Sequence, residues 1–139
     1  MHLNSDVKMI ELEKYDSQEK SSLSVLSFKK FIPFEVKRIF YVNNAVKDEV
    51  RGEHAHKACW QLLIPIHGEL DIYCNDGSEE KIYHLSKQNQ GLIVPPLIWC
   101  KQVYKSDENI LLVLTSEEYD SNDYIHEFDE FIKYIDRNK

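Results

Sequence analysis

The sequence predicts a β-barrel or jelly roll that is closed by one amphipathic helix. About ten short segments with strand character follow one another at regular spacing, separated by polar turns. Residues 124–135 instead repeat apolar side chains every three or four positions, which is helical periodicity, and Ser121, Asn122 and Asp123 are the predicted N-caps of that helix. A chain of 139 residues has room for one core, so residues 1–139 are predicted to form a single domain.

The strand segments either alternate apolar with polar residues or are rich in β-branched and aromatic side chains. They lie at residues 9–14, 22–28, 36–42, 69–74, 80–85, 91–96, 98–104 and 109–116. Residues 51–66 carry the chain back into the body of the protein between two of these segments. Asn75, Asp76 and Gly77 give the strongest hairpin signal in the chain.

Composition excludes several classes of function. The formal net charge is −7, whereas a nucleic-acid binder needs a basic surface, although a small phosphorylated ligand needs only a few basic residues. The start of the chain lacks the apolar run of a signal peptide, and no segment approaches the roughly 20 apolar residues that span a bilayer, so no membrane association is predicted. Cys59, Cys74 and Cys100 are an odd number without CxxC spacing, which argues against a disulfide framework and for the cytoplasm.

The segment RGEHAHKACWQ, residues 51–61, contains two histidines that are two positions apart. In a strand, His54 and His56 lie on one face and Ala55 lies on the other, because side chains alternate. Two imidazoles that converge inside a barrel either bind a metal ion or act as acid and base near neutral pH.

A second unit follows in GLIVPPLIWC, residues 91–100, and the two segments together resemble the two-motif pattern of cupins. Trp60 and Gln61 stand where metal-binding cupins have an acidic ligand, and Cys100 stands where the second motif has a ligand histidine. A neutral amide is a weak ligand for a divalent ion, although a thiolate would help. The prediction is therefore a site without a metal or other cofactor.

The chain resembles the dTDP-4-oxo-6-deoxy-glucose 3,4-ketoisomerases, the WxcM-like family of RmlC-like cupins. The resemblance covers nearly the whole length and rests on residues 33–42, 51–57, 61, 91–99 and 113–131. It implies a cupin jelly-roll homodimer without a metal, often with exchanged N-terminal strands. It also implies an enzyme whose dTDP-sugar product feeds an aminotransferase that makes aminosugars for surface polysaccharide.

Moving a carbonyl from C4 to C3 of a sugar requires removal of a proton alpha to the ketone, an enediol and return of a proton to the former carbonyl carbon. His54 and His56 are the predicted acid–base pair for these steps, in an order that the sequence does not assign. Arg51 and Lys57 are candidates for contacts with the diphosphate or for tuning the imidazoles. Arg51 could instead hold the loop before the strand, and Lys57 could be a solvated charge.

Three further residues are candidates for the substrate pocket: Tyr41, Gln61 and Cys100. Tyr41 and Gln61 could hydrogen-bond the sugar, with packing in the barrel core as the alternative for Tyr41. Cys100 and Lys20 stand where relatives with different product stereochemistry differ, and neither the galacto nor the gluco configuration is indicated.

Two alternative functions stay open. One is a metal-dependent cupin enzyme with His54, His56, Gln61 and Cys100 as ligands, and the other is a sugar-nucleotide-binding protein without catalysis. The other histidines, including His126, are interpreted as surface or turn residues without convergent partners. A homodimer is predicted in which residues 9–14 pair across the subunit boundary, with a monomer as the alternative.

Overall fold

Two five-stranded antiparallel sheets face each other in the computed structural model, which describes residues 6–138. The strand order is β1-β9-β6-β11-β4 in the first sheet and β12-β5-β10-β7-β8 in the second, and β2 and β3 form a separate hairpin. The strands are β1 (Lys8–Glu11), β2 (Glu13–Asp16), β3 (Ser22–Val25), β4 (Arg38–Asn43), β5 (Val50–His56), β6 (Gln61–His67), β7 (Leu70–Asn75), β8 (Glu80–Leu85), β9 (Gln90–Val94), β10 (Trp99–Tyr104), β11 (Ile110–Thr115) and β12 (Tyr124–Ile125). The helices are α1 (Phe28–Phe31) and α2 (Phe128–Arg137).

The main core fills the space between the two sheets. Leu63, Leu92 and Leu111 enter it from the first sheet, and Leu70 and Ile72 enter it from the second. Because inward and outward side chains alternate along a strand, each sheet also has an outer face that must be covered. The predicted jelly roll with a C-terminal helix is confirmed.

Chain termini cover both outer faces. The N-terminal segment packs Leu12 and Ile32 against Leu62, Ile64 and Leu114 of the first sheet. Helix α2 packs against the outer face of the second sheet and forms a second apolar cluster with it. That cluster consists of Ala55, Ile125, Phe131 and Ile135, with Leu97, Trp99, Ile132 and Tyr134 beside it.

The predicted start of the C-terminal helix is wrong by four residues. Helix α2 begins at Phe128 with Glu127 as its N-cap, and the predicted caps form a 3-10 helix, Ser121–Asp123. Tyr124 and Ile125 pair with His56 and Ala55 as strand β12. Ile125 contributes to the same apolar cluster as α2, so it matches the helical repeat although it lies in a strand.

The N-terminal strands also differ from the prediction. Residues 9–14 are divided at the buried Leu12, whose amide donates to Asn89 O at 2.7 Å, and residues 22–28 end their strand at Val25. Strand β1 pairs with β9 in an antiparallel ladder.

Two predictions that concern the membrane have different outcomes. Neither helix of residues 6–138 has the length and apolar character that crossing a bilayer requires. The start of the chain, on which the prediction of no signal peptide rests, includes residues 1–5, which lie outside the described residues.

Candidate active site

Strand β5 separates the two histidines from the alanine between them, as the sequence predicts. Ala55 is fully buried in the cluster beneath α2. His54 pairs with Cys100 of β10, a member of the main core, so His54 and His56 lie on the inner face of the second sheet. Their ring centroids are 5.0 Å apart with nearly perpendicular planes.

A β-bulge brings Arg51 to the same face. Gln102 pairs with Arg51 and Cys100 pairs with His54, so three steps along β5 oppose two steps along β10. Gly52 lies in this bulge with φ of +70°, and a Cβ atom there would come within 3.0 Å of the Gln102 amide. In a strand without a bulge, residues three positions apart lie on opposite faces, so Arg51 shares the face of His54 because of the bulge.

His56 is held at both ring nitrogens. Its Nδ1 lies 2.9 Å from Asp123 Oδ2, and its Nε2 lies 3.2 Å from Gln61 Nε2. The backbone amide of Ala58 donates to the other oxygen of Asp123 at 2.7 Å, which fixes the carboxylate. These partners define a neutral tautomer in which Nδ1–H donates to Asp123 and Nε2 accepts from the amide.

His54 lies at the open side of this pair. Its ring centroid is 5.0 Å from that of Tyr124 and 6.0 Å from that of His126, and the rings of Tyr124 and His126 are stacked at 5.4 Å. Burial, with smaller contributions from His56 and His126, lowers the pKa of His54 to about 4. His54 is therefore a neutral base at pH 7.

Opposing influences act on the second imidazole. Burial lowers the pKa of His56 and outweighs the hydrogen bond and charge of Asp123, which favour the protonated ring. His56 is therefore neutral in the unliganded protein. The adjacent carboxylate stabilises a positive charge if the ring takes up a proton during a reaction.

Cys100 lies beside His54 on the neighbouring strand β10. It pairs with His54 on one side and with Cys74 on the other, and the two sulfur atoms are 3.8 Å apart. Both thiols are free and buried, and the contact with Cys100 raises the pKa of Cys74 above its usual range. The predicted proximity of Cys100 to the histidines is therefore observed.

The structure does not bring Tyr41 or Lys57 to the histidines. Tyr41 is 65% exposed on the outer face of β4, whereas its neighbours Phe40 and Val42 pack against the main core. Lys57 follows the buried Ala55 by two positions, and its ammonium lies over the ring of Tyr134 in α2 at 5.4 Å. Both side chains point outward, so neither lies beside the two histidines.

Sequence reasoning missed three residues of the site: Asp123, Tyr124 and His126. All three were assigned to a helix or to the surface, whereas pairing of β12 with β5 places them beside the histidines. His126 is exposed as predicted, but it has aromatic partners. The only available signal was the pattern EYDSNDYIH, which the resemblance already included but which does not reveal strand pairing.

The predicted metal ligands do not form the group of donors that the structure brings together. Among residues 6–138, a group of three or more His, Cys, Asp or Glu side chains with converging ligand atoms is formed by His56, Cys59 and Asp123. It shares only His56 with the predicted set, and it lies at the Nδ1 edge of that ring. The amide of Gln61 faces the opposite nitrogen.

The chain is similar to proteins of one family over almost its whole length. A family model described as "FdtA: WxcM-like, C-terminal" matches residues 5–136. A TDP-4-oxo-6-deoxy-alpha-D-glucose-3,4-oxoisomerase from Aneurinibacillus thermoaerophilus is 35% identical over 116 residues, which is 84% of each chain.

Two solved structures have the same fold over almost the whole chain. A 3,4-ketoisomerase from Helicobacter canadensis is 37% identical with a TM-score of 0.89, covering 94% of this chain and 98% of the other. QdtA, a sugar 3,4-ketoisomerase from Thermoanaerobacterium thermosaccharolyticum solved with TDP, is 33% identical with a TM-score of 0.90, covering 98% of both chains.

A jelly roll with paired imidazoles on its inner face, together with these relatives, defines an RmlC-like cupin isomerase. The chain belongs to the FdtA, WxcM-like family, whose relatives named above are 3,4-ketoisomerases. The predicted family and the isomerase class are therefore confirmed.

Proposed function

We propose that the chain converts dTDP-4-oxo-6-deoxyglucose into a dTDP-3-oxo-6-deoxyhexose. The observation that carries this proposal is a neutral His54 next to a His56 that Asp123 orients. The substrate in the name of the Aneurinibacillus relative and the TDP bound to QdtA support the choice of sugar and nucleotide.

Two protons must move, and the two imidazoles offer one path for each. His54 takes the proton from C3, and the O3 proton passes through Nε2 of His56 to O4, which leaves an enediolate. Its O3 oxygen becomes the new carbonyl as His54 returns its proton to C4. Asp123 stabilises the transient charge on His56, so hydrogen and charge balance without a cofactor.

The remaining predicted contacts are assigned by position. Arg51 shares the inner face with the histidines and is half exposed, so we place it against the diphosphate. Gln61 would transfer its amide from His56 to a sugar oxygen when substrate binds. Cys100 would lie beneath the sugar ring, where it limits the space available next to His54.

Solvent isotope exchange tests the proposal. Incubation with dTDP-4-oxo-6-deoxyglucose in D₂O should introduce deuterium at C3 or C4, and a coupled 3-aminotransferase should yield a 3-amino sugar that NMR identifies. Tight binding without deuterium would show a binding protein and contradict the proposal. Activity that is lost with EDTA and restored by a metal would favour the metal-dependent alternative.

We also propose a homodimer with exchanged N-terminal strands. The hairpin of β2 and β3 pairs only with itself, and it exposes Tyr15 and Leu23, which are directly opposite each other. A partner would bury these side chains, and the ladder between β1 and β9 could form equally well between two chains. Light scattering at micromolar concentration should give twice 16.5 kDa, and a single-chain mass would contradict the dimer.

The cellular role follows from the same reaction. We propose that residues 1–139 act as one domain in the cytoplasm, where reducing conditions keep the adjacent thiols of Cys74 and Cys100 free. A 3-oxo sugar is the substrate that an aminotransferase requires. We therefore place the enzyme immediately before transamination in the synthesis of a surface polysaccharide such as lipopolysaccharide. Deletion of its gene should remove the 3-amino sugar from that polysaccharide.

A further inference from the structure

Three potential metal ligands converge behind the buried histidine. The Nδ1 atom of His56, the Sγ atom of Cys59 and a carboxylate oxygen of Asp123 all lie within 4.8 Å of one another. They come from the end of β5, the loop after it and the 3-10 helix, and His56 and Cys59 are buried. Tetrahedral zinc with bonds of about 2.0–2.3 Å separates its ligand atoms by about 3.3–3.7 Å. Small side-chain rotations would bring the three ligand atoms to these separations.

Neighbouring contacts restrain two of the three ligands, Asp123 and Cys59. The amide of Ala58 fixes one oxygen of Asp123 at 2.7 Å and leaves the other directed at His56. The thiol of Cys59 is held at 3.3 Å from the carbonyl oxygen of Trp60, the residue that follows it. Pre-positioned donors lower the cost of ordering a site when an ion binds.

An acidic cavity lies next to one of the three ligands. It has a volume of about 430 Å³, and Asp123 and Ala58 form part of its wall. Glu117, Glu118 and Asp120 also line it, with Lys37 as the basic residue. Such a cavity raises the local concentration of divalent cations. An ion in it would meet Asp123 first and would reach the buried His56 and Cys59 from that carboxylate.

We propose that His56, Cys59 and Asp123 form an inhibitory site for a thiophilic divalent cation, with Zn²⁺ as the best match. Nitrogen, sulfur and oxygen donors suit this ion, and water would complete a four-coordinate shell. Binding releases the Cys59 thiol proton to solvent. The proton on Nδ1 of His56 shifts to Nε2, and Gln61 presents its oxygen in place of its NH₂ group.

The ion would disable His56 without occupying the sugar pocket. It replaces the hydrogen bond to Asp123 and leaves a proton on the nitrogen that the proposed mechanism uses as an acceptor. Zinc should therefore lower kcat with little change in KM. This effect on activity rests on the proposed function, whereas binding of the ion does not.

Cobalt spectroscopy tests the site independently of activity. Addition of Co²⁺ to the chelator-treated full chain should produce one equivalent of tetrahedral cobalt with a thiolate charge-transfer band, and zinc should displace it. The charge-transfer band should disappear in Cys59→Ala and Cys59→Ser, with affinity reduced more than about 10-fold. It should persist in Cys74→Ala, which removes a buried thiol elsewhere. Binding that is unchanged in Cys59→Ser, or no thiolate band in the wild type, would overturn the site.

Kinetic measurements then test inhibition. Cys59→Ser should retain the wild-type rate without zinc and lose its sensitivity to zinc. Inhibition that substrate relieves, or that is equal in Cys59→Ser, would overturn the proposed inhibition. A cobalt band in a protein that shows no isomerase activity would refute the proposed function while the metal site stands.

Discussion

The two faces of strand β5 differ in the polarity of the side chains that they contact. Its inner face presents His54 and His56 to polar and aromatic partners and to Cys100. Its outer face presents Ala55 to an apolar cluster that includes Phe131 and Ile135 of α2. Adjacent residues therefore have different roles. Packing on the outer face holds the strand in place, and the inner face carries the two histidines of the active site.

The difference has an energetic side. On the outer face, burial of apolar side chains stabilises the folded state, because it removes apolar surface from water. Burial on the inner face disfavours the charged form of both imidazoles and lowers the pKa of each. Substitutions on the two faces should therefore separate effects on catalysis from effects on stability.

The largest expected effect is on catalysis. His54→Asn should lower kcat/KM by about 10²–10⁴-fold, because it removes the proposed base, while the free energy of unfolding at pH 7 changes little. His67→Asn, at an exposed histidine beside Glu108, is the control and should keep full activity. Equal rates for the two variants would show that His54 is not the base.

The next effect is on stability. Phe131→Ala should lower the free energy of unfolding by about 3–5 kcal/mol, because Phe131 is fully buried between α2 and the sheet. Activity per folded molecule should change far less. Phe128→Ala in the same helix, at a 39% exposed position, should cost much less in urea unfolding. A similar loss for both would mean that α2 does not cover the outer face tightly.

A smaller effect on catalysis is expected from the carboxylate behind His56. Asp123→Asn should reduce kcat by about 10- to 100-fold, because a charge-assisted hydrogen bond contributes about 1.5–3 kcal/mol. The substrate KM should change little, since Asp123 is not placed against the sugar. Asp129→Asn, in the first turn of α2, is the matched control. A raised KM with unchanged kcat would contradict the orienting role.

The smallest effect concerns acid stability. The pKa of His54 is about 4 in the folded protein against 6.5 for the unperturbed group, so the unfolded chain binds more protons between these values. Stability is therefore lost as pH falls from 6.5 towards 4. Between pH 7 and pH 5 the wild type should lose about 1–2 kcal/mol more than His54→Asn in urea unfolding, with His67→Asn behaving as the wild type. Parallel losses in all three would contradict a buried neutral His54.

Most of the fold was predictable because strand alternation and turn residues are local signals. The hairpin at Asn75, Asp76 and Gly77 and the opposite faces of His54 and Ala55 were obtained in this way. The start of the C-terminal helix was not predictable in this way. Ile125 has the spacing of an apolar helix position, although it lies in strand β12. Periodicity reports which side chains are buried together, and here two kinds of element bury side chains in one cluster.

The site was predictable where its residues follow one another in one strand and not where distant segments meet. His54 and His56 share a face by alternation, and Gln61, a predicted pocket residue, lies within hydrogen-bond distance of His56. Asp123 lies 67 positions after His56, and the pairing of β12 with β5 brings the two together. Tyr41 and Lys57 were assigned by residue type, and strand phase turns both away.

The bulge at Gly52 makes the active site respond differently to a deletion and to an insertion. Removing Gly52 would leave Arg51 two positions before His54 in a regular strand, so Arg51 would stay on the inner face. Adding one residue between Arg51 and His54 while the bulge is kept would turn Arg51 to the outer face, because the count from His54 changes by one. Homologous sequences should therefore tolerate a one-residue deletion at this point more readily than a one-residue insertion.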